Sequence, residues 1–208
     1  MSTLFRDLNY CANKYSDVAG KSFLFLYKSS RKDPEYKSYE IYYRKENFMH
    51  LVGVDSKTMH ALDFYEACLN NTLTQHDCSA SHGNPKNIKQ KTAVFPKMFD
   101  FKNAKIYQIG PQDKAYRDNK FDIAIGNNNG VIGYKRNKAI NPFPATTLDY
   151  PISHYCSKPE KIFFVFSKAE KEEKYTNLHY SIKKGLLSDQ INSFPKKVRE
   201  KIDENVLT

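Results

Sequence analysis

The chain has 208 residues, with 33 lysines and arginines against 23 aspartates and glutamates, a net charge of +10, 15 tyrosines, 14 phenylalanines and no tryptophan. That length suits a single domain with a real core, and no apolar run approaches the roughly 20 residues of a membrane span. The first residues lack a secretory pattern, and four scattered cysteines (Cys11, Cys68, Cys78, Cys156) make no disulfide framework, so a reduced, cytoplasmic chain is expected.

Leu4, Phe5, Leu8, Ala12, Tyr15 and Val18 recur at spacings of three and four, predicting an amphipathic first helix that stops near Gly20. The apolar run 23–27 and the alternating run 39–43 predict a β-hairpin, with the polar segment 28–35 as its turn. The stretch Asn47-Phe48-Met49-His50-Leu51-Val52-Gly53-Val54 sets an imidazole in an apolar, strand-like run ending at a glycine, as a third strand or a strand-to-helix junction. Met59, Leu62, Tyr65, Cys68 and Leu69 predict a helix capped by Asp55 or Ser56, and a polar loop follows over 70–85. Ile88, Thr92, Phe95 and Phe99 mark one face of a further helix. Its first turns carry Lys86, Lys89 and Lys91, where cations oppose the helix dipole and a bound anion would offset the cost. Pro96 should kink or interrupt that helix.

The second half reads as a sheet. Segments 105–109, 121–126, 130–134 and 162–166 are candidate strands, and Asn127-Asn128-Asn129 is a hairpin signal between the second and third. Four prolines make 141–159 a loop or edge segment. Val198, Ile202 and Val206, introduced by Ser193 and Pro195, predict a C-terminal helical extension over about 186–206. The expected fold is one α+β domain over 1–208: an N-terminal helix and hairpin, helices, a mainly antiparallel sheet and a closing helix.

Charge is unevenly spread. Positions 86–138 hold twelve lysines and arginines against four aspartates, whereas 58–83 hold no basic residue and three acidic ones. This polarity favours a polyanionic partner on one face, nucleic acid above all. Phosphate-loop, dinucleotide, esterase and zincin motifs are absent, and no cofactor is expected. His76, Asp77, Cys78 and His82, with Cys68 upstream, are ligand types zinc accepts, but no CxxC pair accompanies them and no metal site is assigned.

RNA cleavage without a metal needs a base for the 2′-hydroxyl, an acid for the leaving 5′-oxygen and donors for the phosphorane charge. His50 and His154 suit the proton transfers because imidazole titrates near neutrality. Arg117 and the pair Lys135-Arg136 suit phosphate, and Tyr134 could donate a proton or stack on a base. Lys89 and Lys91 complete the candidate nucleic-acid contacts.

The order "NFMHLVGV" after a hairpin, then "NIKQKTAVFPKMFDF", "FDIAIG" and "YPISHYCSKPEKIFFVFSK", resembles the phage- and mobile-element-associated nuclease-like domains grouped with the barnase, EndoU, colicin and RelE nucleases. The resemblance covers residues 20–168. It implies an antiparallel sheet that carries the active surface and a metal-independent RNase or toxin-like role. The histidine of the HLxG-type motif carries over onto His50, and the PxS segment onto Pro151, Ile152 and Ser153, which adds Ser153 to the expected nucleic-acid contacts. The expected partners are RNA before DNA, and an antitoxin, immunity or host protein, with no membrane. The alternative is a non-catalytic phage or mobile-element protein that binds nucleic acid or inhibits a host nucleic-acid enzyme.

Overall fold

The computed structural model describes residues 3–29, 35–80, 85–101, 107–114, 121–137 and 140–207. Helix α1 (Thr3–Ser16) buries Leu8, Cys11, Ala12 and Tyr15, the face its spacing predicts. Gly20, at φ +74°, turns the chain into β1 (Lys21–Lys28), which pairs antiparallel with β2 (Lys37–Tyr43) from Lys21↔Tyr43 to Tyr27↔Lys37.

The run around His50 is a short helix, α2 (Asn47–Leu51), and a two-residue strand, β3 (Val54–Asp55), follows it. The strand-like reading of this run is corrected. Phe48 and Leu51 face the core at helical spacing, so the apolar residues serve a helix face, and His50 is left outward and exposed. Helix α3 (Ala61–Asn70) begins at His60, whose side chain makes no cap, rather than at Asp55 or Ser56. The segment expected as one loop contains a 3-10 turn at Gln75–Asp77 and β4 (Ser79–Ala80), which pairs with β3.

Helix α4 (Pro85–Met98) runs through Pro96. A proline leaves the carbonyl four residues earlier without its amide donor. Here that carbonyl is Thr92 O, and the buried Cys11 thiol of α1 donates to it at 3.5 Å. The packing of α1 on α4 thus supplies what the proline removes.

Strands β5 (Gln108–Pro111), β6 (Ile123–Gly126), β7 (Val131–Asn137), β8 (Ile140–Leu148), β9 (Glu160–Ala169) and β10 (Asn177–Ser181) complete the sheet. Among the described residues, eight strands form one antiparallel sheet in the order β2-β1-β9-β5-β6-β7-β8, with β10 also on β9. The β6–β7 hairpin turns at Asn127–129 as predicted. Pro142 and Pro144 lie in β8, the edge strand, where a missing amide is tolerated.

The sheet curls until its edges β2 and β8 meet. Phe23, Phe25, Ile41, Tyr43, Ile125, Ile132 and Tyr134 point inside the curl, onto α1–α4. Leu24, Leu26, Phe164 and Phe166 point outward to Phe194, Val198 and Ile202. The C-terminal segment that covers them is a series of short pieces, α5 (Leu186–Gln190), α6 (Lys196–Arg199) and α7 (Glu204–Leu207), and Ser193 caps none of them. Further along the outer face, Ala124 and Val131 pack on Phe121, Ile152, Tyr155 and Cys156.

Candidate nucleic-acid interface

His50 stands exposed on the last turn of α2. Beneath it, Lys91 of α4 reaches across with its Nζ 3.4 Å from the His50 carbonyl and 3.3 Å from Thr146 Oγ1 of β8. Burial lowers the Lys91 pKa, and Asp55 partly opposes the shift. Gly53 has two reasons to be glycine. Its φ is +76°, and a Cβ there would lie 2.8 Å from Lys91 Cδ. The HLVG run therefore builds a seat for a lysine 38 positions later. Lys89, two positions earlier on α4, is exposed.

Tyr134 is 1% exposed, and its hydroxyl lies 2.7 Å from that of Tyr43, itself fully buried. Burial holds its phenol well above the ordinary value, with Tyr43 adding to the rise. This side chain is a strut of the core and meets no solvent. The nomination of Tyr134 as a proton donor or stacking group is corrected on that ground.

Two residues on, the same strand leaves the helices behind and carries Lys135 and Arg136 to the end of the sheet opposite α2, both exposed. The Arg136 guanidinium carbon stands 5.5 Å from the Tyr39 ring centre, and its backbone N–H donates to Asp122 Oδ2 at 2.5 Å. Among the described residues no carboxylate lies within 4.0 Å of this guanidinium. On the same face, Lys37 of β2 reaches across β1 to Glu160 of β9 at 2.7 Å, and the Ser29 hydroxyl also donates to Glu160 Oε1. Tyr27 lies between them. Its phenol is raised by burial and by Glu160, against the opposing pull of Lys37 and Arg136, so one hydroxyl senses all three charges. Tyr39 is likewise raised by burial and lowered by Arg136.

Sequence reasoning missed Tyr27, Tyr39, Lys37 and Glu160. The alternation of 23–27 and 39–43 was a usable signal, because it puts Tyr27 and Tyr39 on one face of paired strands. The partner Glu160 comes from a strand more than 100 positions away, which no local pattern reveals.

His154 and Ser153 lie in the turn Ile152–His154, which packs on the outer face, whereas α2 packs on the inner face. The His154 and Tyr150 ring centres lie 5.1 Å apart with their planes tilted by 40°, and the Ser153 carbonyl accepts from Lys114 at 2.8 Å. The fold therefore does not gather His50 and His154 into one cleft. Arg117 and His82 lie outside the described residues. Asp77 is absorbed into a reciprocal cap with Thr74, and among the described residues no group of three or more His, Cys, Asp or Glu could hold a metal. Among those residues, too, no helix is long and apolar enough to cross a membrane.

No curated protein and no solved structure matches the chain. A family model, PBECR4, described as a phage-Barnase-EndoU-ColicinE5/D-RelE like nuclease, matches residues 7–184, from the middle of α1 to beyond β10. With the α+β architecture and the curled antiparallel sheet already in hand, that span settles the kinship: the chain belongs to this family of phage-associated, nuclease-like domains.

Proposed function

We propose that the protein cleaves RNA by acid–base chemistry without a metal ion, at the end of the inner sheet face where Arg136, Tyr39, Tyr27, Lys37 and Glu160 meet. One observation carries this reading: a guanidinium with no carboxylate in ion-pair range among the described residues shares a patch with a carboxylate and two phenols. A nuclease needs that mixture, since a cation neutralised by a carboxylate is poorly available to phosphate.

In this reading Glu160 takes the proton from the 2′-hydroxyl. The 2′-oxygen attacks phosphorus, and the bond to the 5′-oxygen breaks. Arg136 holds the charge that grows on the phosphorane oxygens, Lys37 orients the Glu160 carboxylate it is paired with, and the Tyr27 phenol supplies the proton to the leaving oxygen. His50, Lys89 and Lys91 contact the RNA chain at the other end of β2, and Lys135 contacts it beside Arg136.

The test is cleavage of single-stranded RNA in EDTA, with a 2′,3′-cyclic phosphate as the expected product and DNA of the same sequence left intact. Glu160→Gln should abolish turnover and keep RNA affinity. If His50→Ala abolishes turnover and Glu160→Gln does not, the reaction lies at α2. If no RNA is cut and binding persists, the protein is a nucleic-acid-binding member of the family.

A further inference from the structure

The junction of α2, α4 and β8 holds a cation that the reaction above does not use. Lys91 is partly buried, with its stem against Gly53. Its ammonium has three donors. Two of them meet acceptors near the limit of hydrogen-bond range, the His50 carbonyl at 3.4 Å and Thr146 Oγ1 at 3.3 Å. Among the described residues no carboxylate lies within 4.0 Å of it, and Asp55 acts on it only through the longer-range field. A desolvated ammonium with slack hydrogen bonds and no counter-ion among the described residues is costly, and an anion that binds it offsets that cost.

The surroundings suit one kind of anion. The Thr146 hydroxyl accepts from Lys91 and still has its own proton to donate. His50 stands exposed on the turn whose carbonyl Lys91 touches, and Lys89 is exposed on the same helix. The first turn of α4 holds no acidic residue. The geometry points to a phosphate-binding subsite built from Lys91, Thr146 and His50, which takes one phosphodiester of a bound nucleic acid away from the scissile bond. It rests on the nuclease reading only for the identity of the anion.

The probe is a single-stranded 2′-O-methyl RNA oligonucleotide, which lacks the attacking hydroxyl and so reports binding alone. Its affinity for the full chain is measured against salt for the wild type, Lys91→Met, Lys91→Arg and Thr146→Val. Lys91→Met should weaken binding and flatten the slope of log Kd against log salt by about 0.7, the value for one lost phosphate contact on a single strand. Lys91→Arg should keep the slope, and Thr146→Val should weaken binding with the slope intact. Folding is checked by thermal melting, where Lys91→Met should be no less stable than the wild type, because it removes a desolvated charge. An unchanged affinity and slope in Lys91→Met would overturn the subsite. Loss of slope in a protein that cuts no RNA would keep the subsite and reject the nuclease reading. Intact cleavage with an unchanged slope would do the reverse.

Discussion

The hydroxyls of Tyr43 and Tyr134 meet at 2.7 Å inside the curl, joining the edge strand β2 to β7 across a seam that no strand-to-strand ladder closes. Each is buried, and each is the polar end of an otherwise apolar ring packed on its neighbours, with the two ring centres 6.3 Å apart. Removing one hydroxyl leaves the other desolvated without its partner. Tyr134→Phe and Tyr43→Phe should therefore each cost about 1–3 kcal/mol, whereas the double change should cost less than their sum. Urea unfolding of the four proteins tests this. RNA cleavage by Tyr134→Phe should stay near the wild-type level, because the phenol is out of reach of substrate.

The contrast between Tyr134 and Arg136 shows what the sequence could and could not tell. Periodicity placed α1, the first hairpin and the β6–β7 turn, because each is a local pattern answering to one buried face. The exposure of a strand residue depends instead on how far the helices extend over the sheet, which is set by packing between distant elements. Tyr134 and Arg136 sit two positions apart on one face, yet one is sealed and the other open. The run around His50 leaves strand and helix open for a related reason. A short, mostly apolar run fits a buried strand and a one-turn helix equally well, and the contacts of Phe48 and Leu51 with the core decide for the helix. Strand β10 was not read at all. Its exposed Leu178 and half-buried His179 break the alternation, and its place is set by pairing with β9.

Gly53 offers a second stability test with a built-in control. Gly53→Ala imposes a left-handed φ on a residue with a Cβ, at about 1–2 kcal/mol, and drives that Cβ into the Lys91 stem. Gly20 has nearly the same φ, +74°, but nothing within 4 Å of its Cβ position. Gly53→Ala should accordingly lower Tm more than Gly20→Ala. Adding Lys91→Ala, which removes the crowded stem, should shrink the difference. Equal losses at the two glycines would mean that Lys91 does not crowd position 53.

Acid sensitivity should localise to the capped loops. The Asp77 carboxyl is held below the usual carboxylate range by the Thr74 hydroxyl and N–H, at 2.7 and 2.8 Å, with help from the Thr58 hydroxyl at 3.0 Å. Asp113 is lowered in the same way by the Ser157 hydroxyl and N–H. For a carboxylate depressed in the folded state, the stabilisation is complete above its unfolded pKa, about 3.9. It is lost as pH falls through the lower folded value. Urea midpoints should therefore hold steady from pH 7 to about 5 and drop below about 4. In Asp77→Asn the neutral midpoint should be lower and the acid drop shallower. A variant whose acid limb overlays that of the wild type would remove Asp77 from the account.

Arg136 gives the sharpest discrimination at the proposed reaction site, because its planar cation stands by the Tyr39 ring with no carboxylate in ion-pair range among the described residues. A lysine there keeps the charge but loses the forked donors that match two phosphate oxygens. If Arg136 holds the phosphorane, Arg136→Ala should lower kcat by about a hundredfold or more, the scale for removing one donor from a developing oxyanion. Arg136→Lys should recover only part of that, with the loss falling on kcat rather than on KM. Were Arg136 only a binding cation like Lys91, Lys would replace it well, and Ala would raise KM at constant kcat. The side chain is exposed and its backbone N–H, not its guanidinium, bonds to Asp122, so both variants should fold with a Tm close to that of the wild type.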